Sequence, residues 1–409
     1  MQGELEPLCA QVRQAYEARR PLRIRGGGSK SFLVCSAAPE VLDLRLYAGI
    51  VDYEPSELVV TVRAGTPLVA LERLLEENGQ MLAFEPPHLG LQATVGGMVA
   101  AGLSGPRRMA QGAVRDFVLG VRMIDGQGRD LSFGGRVIKN VAGFDVSRLM
   151  VGAWGALGVL TEVTLKVVPR ASAQLTLEWN LSEAQALQRI NEWAGQPWPI
   201  TASSYYQGRL RVRLEGPRKA LESSAARLGG KEILEGKGWW MGLREQQLDF
   251  FMTPKPLWRI AVRPTTGPLG LSGQTLVEWG GGLRWIACDH GHAQVHAMAR
   301  EAGGHAQQWH GGDPARPFPE PPSGTLLALH RSLKKVFDPA GILNPGLPGF
   351  LGGVRPWRPI STKKRVPHRQ QPPLRGFFAP VSIADFVWPP VRPTRYWGMN
   401  GIVRGDGST

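Results

Sequence analysis

Cysteine is nearly missing from this chain of 409 residues. Cys9, Cys35 and Cys288 are odd in number, far apart and without the paired spacing of a disulfide framework, a zinc site or an iron–sulfur cluster. A reducing compartment follows. No stretch approaches the roughly 18 uninterrupted apolar residues of a membrane span. The opening "MQGELEPLCAQVRQAYEARRPLRIRG" runs from acidic to basic without the apolar centre of a secretory leader. The expected location is therefore cytoplasmic, with no direct membrane span and any membrane association made through partner subunits. Acidic residues are the scarcer charge, 34 against 48 Lys and Arg, for a net charge of +14. More than half of that excess sits in residues 347–409, which hold ten Lys/Arg against two Asp. Before residue 347 the cations are dispersed among glutamates and form no dense stripe, so no nucleic-acid face is expected there and a small anionic ligand suffices.

Two familiar phosphate signatures are also missing. "RIRGGGSKS", Arg23 to Ser31, has the backbone freedom that lets amides approach an anion. In it Ser29 separates Gly28 from Lys30, which puts the lysine out of register for a Walker loop. The loop leads into "SFLVCSAAPEVLDL", extended and broken at Pro39, where a dinucleotide fingerprint would open a long helix. A glycine-rich turn between strands and a phosphate cradle of another kind both remain open at this point.

What is present is a mixed α and β pattern. Residues 4–19 read as a helix, Leu22–Ile24 as a strand and "SELVVTVR" (56–63) as a β-branched strand. "GTPLVALERLLEENG" predicts a helix with Thr66 as cap, Pro67 at its first position, Leu68, Leu71 and Leu75 on one face and Gly79 as stop. Residues 86–116 are so rich in Gly and Ala that something large is expected against their backbone. "DFVLGVRMIDGQGRDLSFG" reads as a hairpin turning at Asp125-Gly126, and "SRLMVGAWGALGVLTEVTLKVVPR" as a glycine loop and a strand ending at Pro169. From about 171 to 325 the texture changes to alternating strands, with helices at 182–194 and 217–228, which reads as a second domain. Leu326–Phe337 reads as a helix returning to the first. Residues 347–409 are frequent in Pro and follow no period that could face a core.

Five elements stand in order: "RGGGSK" (25–30), "ATVGGMVAAGLSG" (93–105), "GAVRD" (112–116), "GAWGALGVLTEVTLKV" (152–167) and "FDPAGILNPG" (337–346). The set resembles the vanillyl-alcohol oxidase/p-cresol methylhydroxylase (PCMH) flavoproteins, over about residues 5–170 and 326–346. With "VVTVRAGTPLVALERLL" and "GRVIKNVAGFDVSRLMVGAWGALG" it looks most like the branch of smaller FAD-binding subunits of bacterial glycolate oxidases. The fold this implies is α+β. A PCMH-type FAD-binding domain of two α/β subdomains covers 1–170, an α+β cap or substrate domain 171–325, a segment returning to the FAD domain 326–346, and an irregular Pro/Arg-rich tail 347–409.

The resemblance implies FAD, with backbone amides of Gly26, Gly27, Gly28 and Ser29 on its pyrophosphate. Thr94, Gly96, Gly97, Gly102 and Ser104 would line the ribityl and pyrophosphate path, and Gly158, Val159 and Leu160 the adenine end. Close approach of the flat cofactor is the expected reason for these glycines. Some relatives bond the flavin covalently through a histidine beside the loop; Ser29-Lys30 stands there here, which implies non-covalent FAD. The coda also departs, because Leu347 follows Gly346 where a basic residue is usual. Oxidation of glycolate or a related 2-hydroxy acid is the implied activity. A larger FAD-containing subunit and an iron–sulfur subunit are the implied partners, since this chain has no cluster ligands to carry electrons onward. A flavin-fold scaffold without turnover of its own is the alternative.

Such an oxidation needs a base for the hydroxyl proton and a cation for the carboxylate. Arg209, Arg211 and Arg213 alternate on "GRLRVRLEG" and read as a solvent-facing row, or as cations that meet a carboxylate. His290, His292 and His296 in "CDHGHAQVHAMAREAGGH" suit either a metal or a helix surface, and no metal site is assigned. His88, between "EPP" and "LGLQATVGG", suits a turn as well as a site. No catalytic base is named. The tail yields a direct expectation: a chain truncated after Gly346 retains FAD absorbance and the thermal midpoint of the full-length protein. Loss of either on truncation would make "FFAPVSIADFVW" part of the body.

Overall fold

Pro7 near the start of α1 (Glu6–Glu17) suits a helix entry, and Cys9, Val12 and Ala15 fall on the face that is buried. The computed structural model describes residues 5–33, 38, 40–135, 144–311 and 324–346. The readings made on Cys35, on Pro39, on "RVIKNVAG" (136–143) and on the 347–409 tail lie outside these residues. α1 packs against a parallel pair, β1 (Leu22–Arg25) and β2 (Glu40–Asp43), in register from Leu22 opposite Glu40 to Arg25 opposite Asp43. The segment joining the two strands carries the glycine loop.

The chain then runs through β3 (Ile50–Glu54), β4 (Val59–Arg63), α2 (Leu68–Glu77), β5 (Gln80–Met81), α3 (Val95–Ala101) and α4 (Arg108–Gln111). β6 (Val118–Ile124), β7 (Asp130–Gly134), α5 (Val146–Leu149), β8 (Val159–Lys166) and β9 (Val168–Pro169) follow. Five of these strands form an antiparallel sheet in the order β3-β4-β8-β6-β7. Its Val60, Val62, Val163 and Leu165 share one core with Leu71 and Leu75 of α2 and Met98 and Val99 of α3. The hairpin turns at Asp125, whose Oδ1 accepts from the Gln127 and Arg129 amides at 2.9 Å each. One expectation needs correcting. Thr66 does not cap α2: Pro67 occupies the cap, and the Thr66 hydroxyl bonds both the Gly49 amide (2.8 Å) and the Gly49 carbonyl (3.1 Å). A short hydroxyl beside a proline can serve either neighbour, and here the tertiary one wins.

Residues 173–310 build a second antiparallel sheet of eight strands. The chain supplies β10 (Ala173–Asn180), α6 (Glu183–Ala194), β11 (Ile200–Tyr206), β12 (Arg209–Gly216), α7 (Arg218–Leu228), β13 (Lys231–Glu232) and α8 (Gly236–Arg244). It continues with β14 (Leu257–Ala261), β15 (Gln274–Glu278), β16 (Leu283–Ala287), α9 (His292–Glu301) and β17 (His305–His310). The order is β13-β10-β12-β11-β15-β16-β14-β17. Ser182 caps α6 through the Gln185 amide, and the Gln185 side chain returns the bond. Among the described residues no helix is long and apolar enough to cross a membrane.

The row of arginines on β12 is not a solvent face. Arg213 is 2% exposed, and its two terminal nitrogens donate to the two oxygens of Glu85 at 2.8 Å each. Arg107 joins the same network through Glu215 (2.6 Å), and Arg211 pairs with Glu178 (2.7 Å); only Arg209 is exposed. Strand periodicity gives the side of the sheet on which a residue lies, not what covers that side.

α10 (Gly324–Phe337) brings the chain back. The Phe337 carbonyl accepts from the Gly126 amide (2.8 Å), and the Lys334 ammonium is buried, donating to the Ala156 (2.6 Å) and Leu343 (2.9 Å) carbonyls and pairing with Asp338 at 2.6 Å. Asp338 also receives the amides of Ile342 (3.1 Å) and Leu343 (2.8 Å), shaping the turn of the coda. Removing one member of such a pair leaves the other charge buried without its partner. Lys334→Met is therefore expected to destabilise the fold by about 3 kcal/mol, read as a lower urea midpoint at unchanged slope. Lys334→Met combined with Asp338→Asn should recover part of that loss.

Candidate functional site

A cavity of about 440 Å³ opens between the β1–β2 layer and the ends of the inner strands β4 and β8 of the five-stranded sheet. Its wall runs from Arg23 to Ser31, then across Leu44 and Ala64, the start of α3 at Thr94, Gly96, Gly97 and Ala100, and the Met150–Leu160 segment, to Asn344. Among the described residues the lining contains Arg23, Arg25 and Lys30, and no Asp, Glu, His, Cys or Tyr. Volume and polarity match a site for a large ligand with a strongly anionic part.

The local chemistry explains why the wall is so bare. Built as alanine, Gly27 would drive its Cβ into the Gln92 carbonyl, Gly26 into the Thr94 hydroxyl and Gly96 into Ala64. These glycines let two protein backbones meet, so the expected reason, a cofactor lying on every glycine, is corrected for these three: their missing side chains point into protein. Gly28 differs, with φ +72° and no neighbour within 3.7 Å of a Cβ, and glycine there serves the left-handed turn. Among the described residues nothing accepts from the amides of Gly27, Gly28 or Ser29. Three adjacent donors on a cationic wall form a cradle that fits a diphosphate.

Of the residues read from sequence, Gly26, Gly27, Gly28, Ser29, Thr94, Gly96, Gly97, Gly158 and Leu160 meet at this cavity, while Gly102, Ser104 and Val159 do not line it. Gly102 ends α3 in the left-handed conformation, against Gly152. The Ser104 hydroxyl accepts from the Val114 amide (3.2 Å), and Val159 is buried behind the wall with α1. Sequence reasoning missed Ala64, Trp154 and Asn344. Asn344 was within reach, since the coda had been noticed: its Oδ1 accepts from the Ile24 amide and its Nδ2 donates to the Trp154 carbonyl, both at 2.7 Å.

The histidines lie elsewhere. His88 bonds Glu72 through Nε2 (2.9 Å) and receives Lys30 at its carbonyl (3.1 Å), a structural turn beside the cavity. His290 bonds Ser272 and Gln294, and His292 stacks on His296 with centroids 4.1 Å apart against Trp258. No group of three or more potential ligands able to hold a metal occurs among the described residues.

Lys30 is 8% exposed, and burial lowers its ammonium to about 8, with Glu245 opposing that shift. A folded-state value below the ordinary one means that the charge is lost as pH rises through 8, and the charged form is the one that holds an anion. FAD affinity is therefore expected to weaken about tenfold from pH 7 to pH 9, measured by fluorescence titration of the apoprotein. Lys30→Met should bind more weakly at pH 7 and lose that dependence.

Comparison with known proteins agrees with this geometry. The profile of an "FAD binding domain" matches residues 3–134, and that of "FAD linked oxidases, C-terminal domain" matches residues 291–347. The glycolate oxidase subunit GlcE of Escherichia coli is 48% identical over 341 residues, 83% of this chain and 96% of that protein. The glycolate oxidase subunit GlcD of Bacillus subtilis is 31% identical over 39% of this chain and 34% of its own length, and a D-lactate dehydrogenase of Archaeoglobus fulgidus 33% over 40% and 37%. Among solved structures an alkyldihydroxyacetonephosphate synthase shares the fold, with a TM-score of 0.58 at 16% identity over 83% of this chain and 74% of that one. An FAD-binding region, an FAD-linked oxidase C-terminal region and near full-length similarity to GlcE place the chain in the PCMH-type family of FAD-linked oxidoreductases, in the branch of the glycolate oxidase subunit GlcE.

Proposed function

We propose that this chain is the FAD-binding subunit of a glycolate oxidase and takes part in oxidising glycolate, or a related 2-hydroxy acid, to the 2-oxo acid. The observation that carries the reading is the cavity wall of glycine backbone and three cations, with no carboxylate among its described residues. Bound FAD would supply the two-electron acceptor for the hydroxyl-bearing carbon. The chain's own part is to hold it: the amides of Gly26, Gly27, Gly28 and Ser29 take the pyrophosphate, helped by Lys30. Thr94, Gly96 and Gly97 follow the ribityl path with Gly102 and Ser104 shaping it from behind, and Gly158 and Leu160, backed by Val159, flank the adenine. Among the described residues no lining side chain offers an imidazole, thiol or phenol for attachment, which supports a non-covalent cofactor.

In this reading residues 1–170 form the FAD domain, 171–325 the cap, 326–346 the return, and 347–409 an appendage. Electrons leave through partners, a larger FAD-containing subunit and an iron–sulfur subunit, because neither buried cysteine of the described residues, Cys9 or Cys288, has a cysteine partner. The proposed location is the cytoplasm, with any membrane contact made by those partners.

A second reading has its own support. Among the described residues the wall carries no histidine, tyrosine or carboxylate that could take a hydroxyl proton, which suits a flavin-bearing scaffold for a larger catalytic subunit. Two measurements decide. The purified chain is expected to show flavin absorbance that acid precipitation releases into the supernatant; a colourless protein indifferent to added FAD overturns both readings. Gly97→Trp, which fills the cavity, should strip FAD from this subunit. Loss of glycolate oxidation in the assembled complex then supports a catalytic flavin here, and an undiminished rate supports the scaffold.

A further inference from the structure

α10 is anchored on one side and bare on another. Its inner side carries the Lys334 ammonium, which holds the Ala156 and Leu343 carbonyls and pairs with Asp338, while Leu333 and Phe337 pack against the core of the five-stranded sheet. Leu326, Leu329 and Val336, in contrast, are 52%, 56% and 66% exposed. With Leu333 they are spaced three, four and three residues apart, so they follow one another along a single flank of the helix. The Phe337 ring meets Phe133 edge to face at 6.4 Å between centroids, which sets the end of the helix against β7. β7 is an outer strand of its sheet, paired through β6 alone among the described residues.

A single exposed apolar side chain is ordinary on a protein surface. Three on one flank are not: among the described residues no other helix or strand carries more than one large apolar side chain exposed to this degree. An apolar flank that continues into an outer strand presents two features that a protein partner covers at once, the side chains by burial and the outward backbone groups of the strand by pairing.

Charge selects the partner. α10 holds His330, Arg331, Lys334 and Lys335 and no Asp or Glu. Other helices pair surface arginines within themselves, Arg73 with Glu77 on α2 and Arg218 with Glu222 on α7. The exposed Arg331 and Lys335 have no acid on their own helix to pair with. A second copy of this chain would bring the same cations to the face. Residues 347–409, with ten Lys/Arg against two Asp, would bring more. Like charges brought together across an interface oppose it. The complement is an apolar surface rimmed by Asp or Glu on a different protein.

We propose that the Leu326–Leu329–Val336 flank of α10, with the β7 edge beside it, is the surface on which the larger FAD-containing subunit docks, through an apolar patch with an acidic rim. The existence of that partner rests on the proposed function; the choice of surface rests on exposure and charge. The helix suits docking because it is fixed from beneath by Lys334 and Asp338, so the flank is presented without further ordering on binding. The same anchor sets the turn that delivers Asn344 to the wall of the large cavity. The partner therefore meets the element that holds the cavity's width.

The test is calorimetric titration of the purified full-length chain with the purified larger subunit, with flavin absorbance, elution volume and thermal midpoint of the chain alone recorded beside it. Leu329→Glu combined with Val336→Glu is expected to weaken assembly at least about 30-fold. FAD absorbance should be retained and the midpoint should stay within about 3 °C of the unaltered chain. Lys335→Glu, which touches no core residue, should weaken assembly about tenfold at low salt and hardly at all at high salt. Leu234→Glu, at an exposed leucine between β13 and α8, should leave assembly unchanged. Full affinity in the double variant, or equal loss in Leu234→Glu, overturns this surface and leaves the proposed function standing. A chain that loads FAD yet never binds the larger subunit overturns the partner reading and this surface with it. Two results on the chain alone also overturn the proposal: a dimer that the double variant splits puts a second copy on the flank, and a midpoint lowered by more than about 8 °C shows that the chain's own residues cover it.

Discussion

The glycine loop stands where it does because a carboxamide from the far end of the chain holds its strand. β1 has β2 on one side only. Its other edge is completed by the coda, where the Leu22 amide meets the Ile342 carbonyl (2.8 Å) and the Asn344 amide meets the Leu22 carbonyl (2.9 Å). At the next donor the backbone has turned away, and Asn344 Oδ1 supplies the acceptor for Ile24 in its place. The same side chain reaches Trp154 in the loop that forms the opposite wall. A buried edge must have its amides satisfied, and here one asparagine satisfies the strand and fixes the width of the cavity. Asp338 and Lys334 serve this arrangement, since they set the turn that delivers Asn344 and tie it to Ala156.

A second constraint joins the two sheets. Burial alone would raise the Glu85 carboxyl; the Arg213 guanidinium and its hydrogen bonds, with Arg107, outweigh that and hold it below the usual range. Glu85 belongs to the segment after β5, while Arg213 and Glu215 belong to β12. A paired, hydrogen-bonded cluster of this kind tolerates little displacement, because any slip leaves a buried charge uncompensated. The adjoining Trp279 to Gly105 bond lies across the same seam.

What the sequence made legible was local. Turn chemistry at Asp125-Gly126 and the leucine face of α2 act within a few residues, and each gave the element observed. The glycine segments were legible as close approaches, but not what they approach: Gln92 lies over Gly27 and Ala64 over Gly96, and those partners are set by tertiary packing. The arginines of β12 left a solvent face and a carboxylate partner both open for the same reason, since a period of two does not show that Glu85 waits opposite. Asn344 sat inside a recognised motif, yet its role depends on an edge 320 positions away.

The pairing of cations separates framework from site. Arg107, Arg122, Arg211, Arg213 and Arg284 carry glutamate or aspartate partners and act as cross-links. Arg23, Arg25 and Lys30 around the large cavity, and Arg259 on β14, have no ion pair among the described residues. Solvent supports the charge of the exposed ones, but Lys30 and Arg259 are desolvated, and each is depressed chiefly by burial. A chain that pairs its deeply buried arginines and leaves Lys30 with a serine hydroxyl and a backbone carbonyl has left a buried charge open at the wall of the large cavity, whereas Arg259 is half-buried and has the Glu278 carboxyl near it. A diphosphate in the large cavity would complete the charge that the fold leaves open there, which is why the one desolvated cation of that wall stands beside the free amides of the glycine loop.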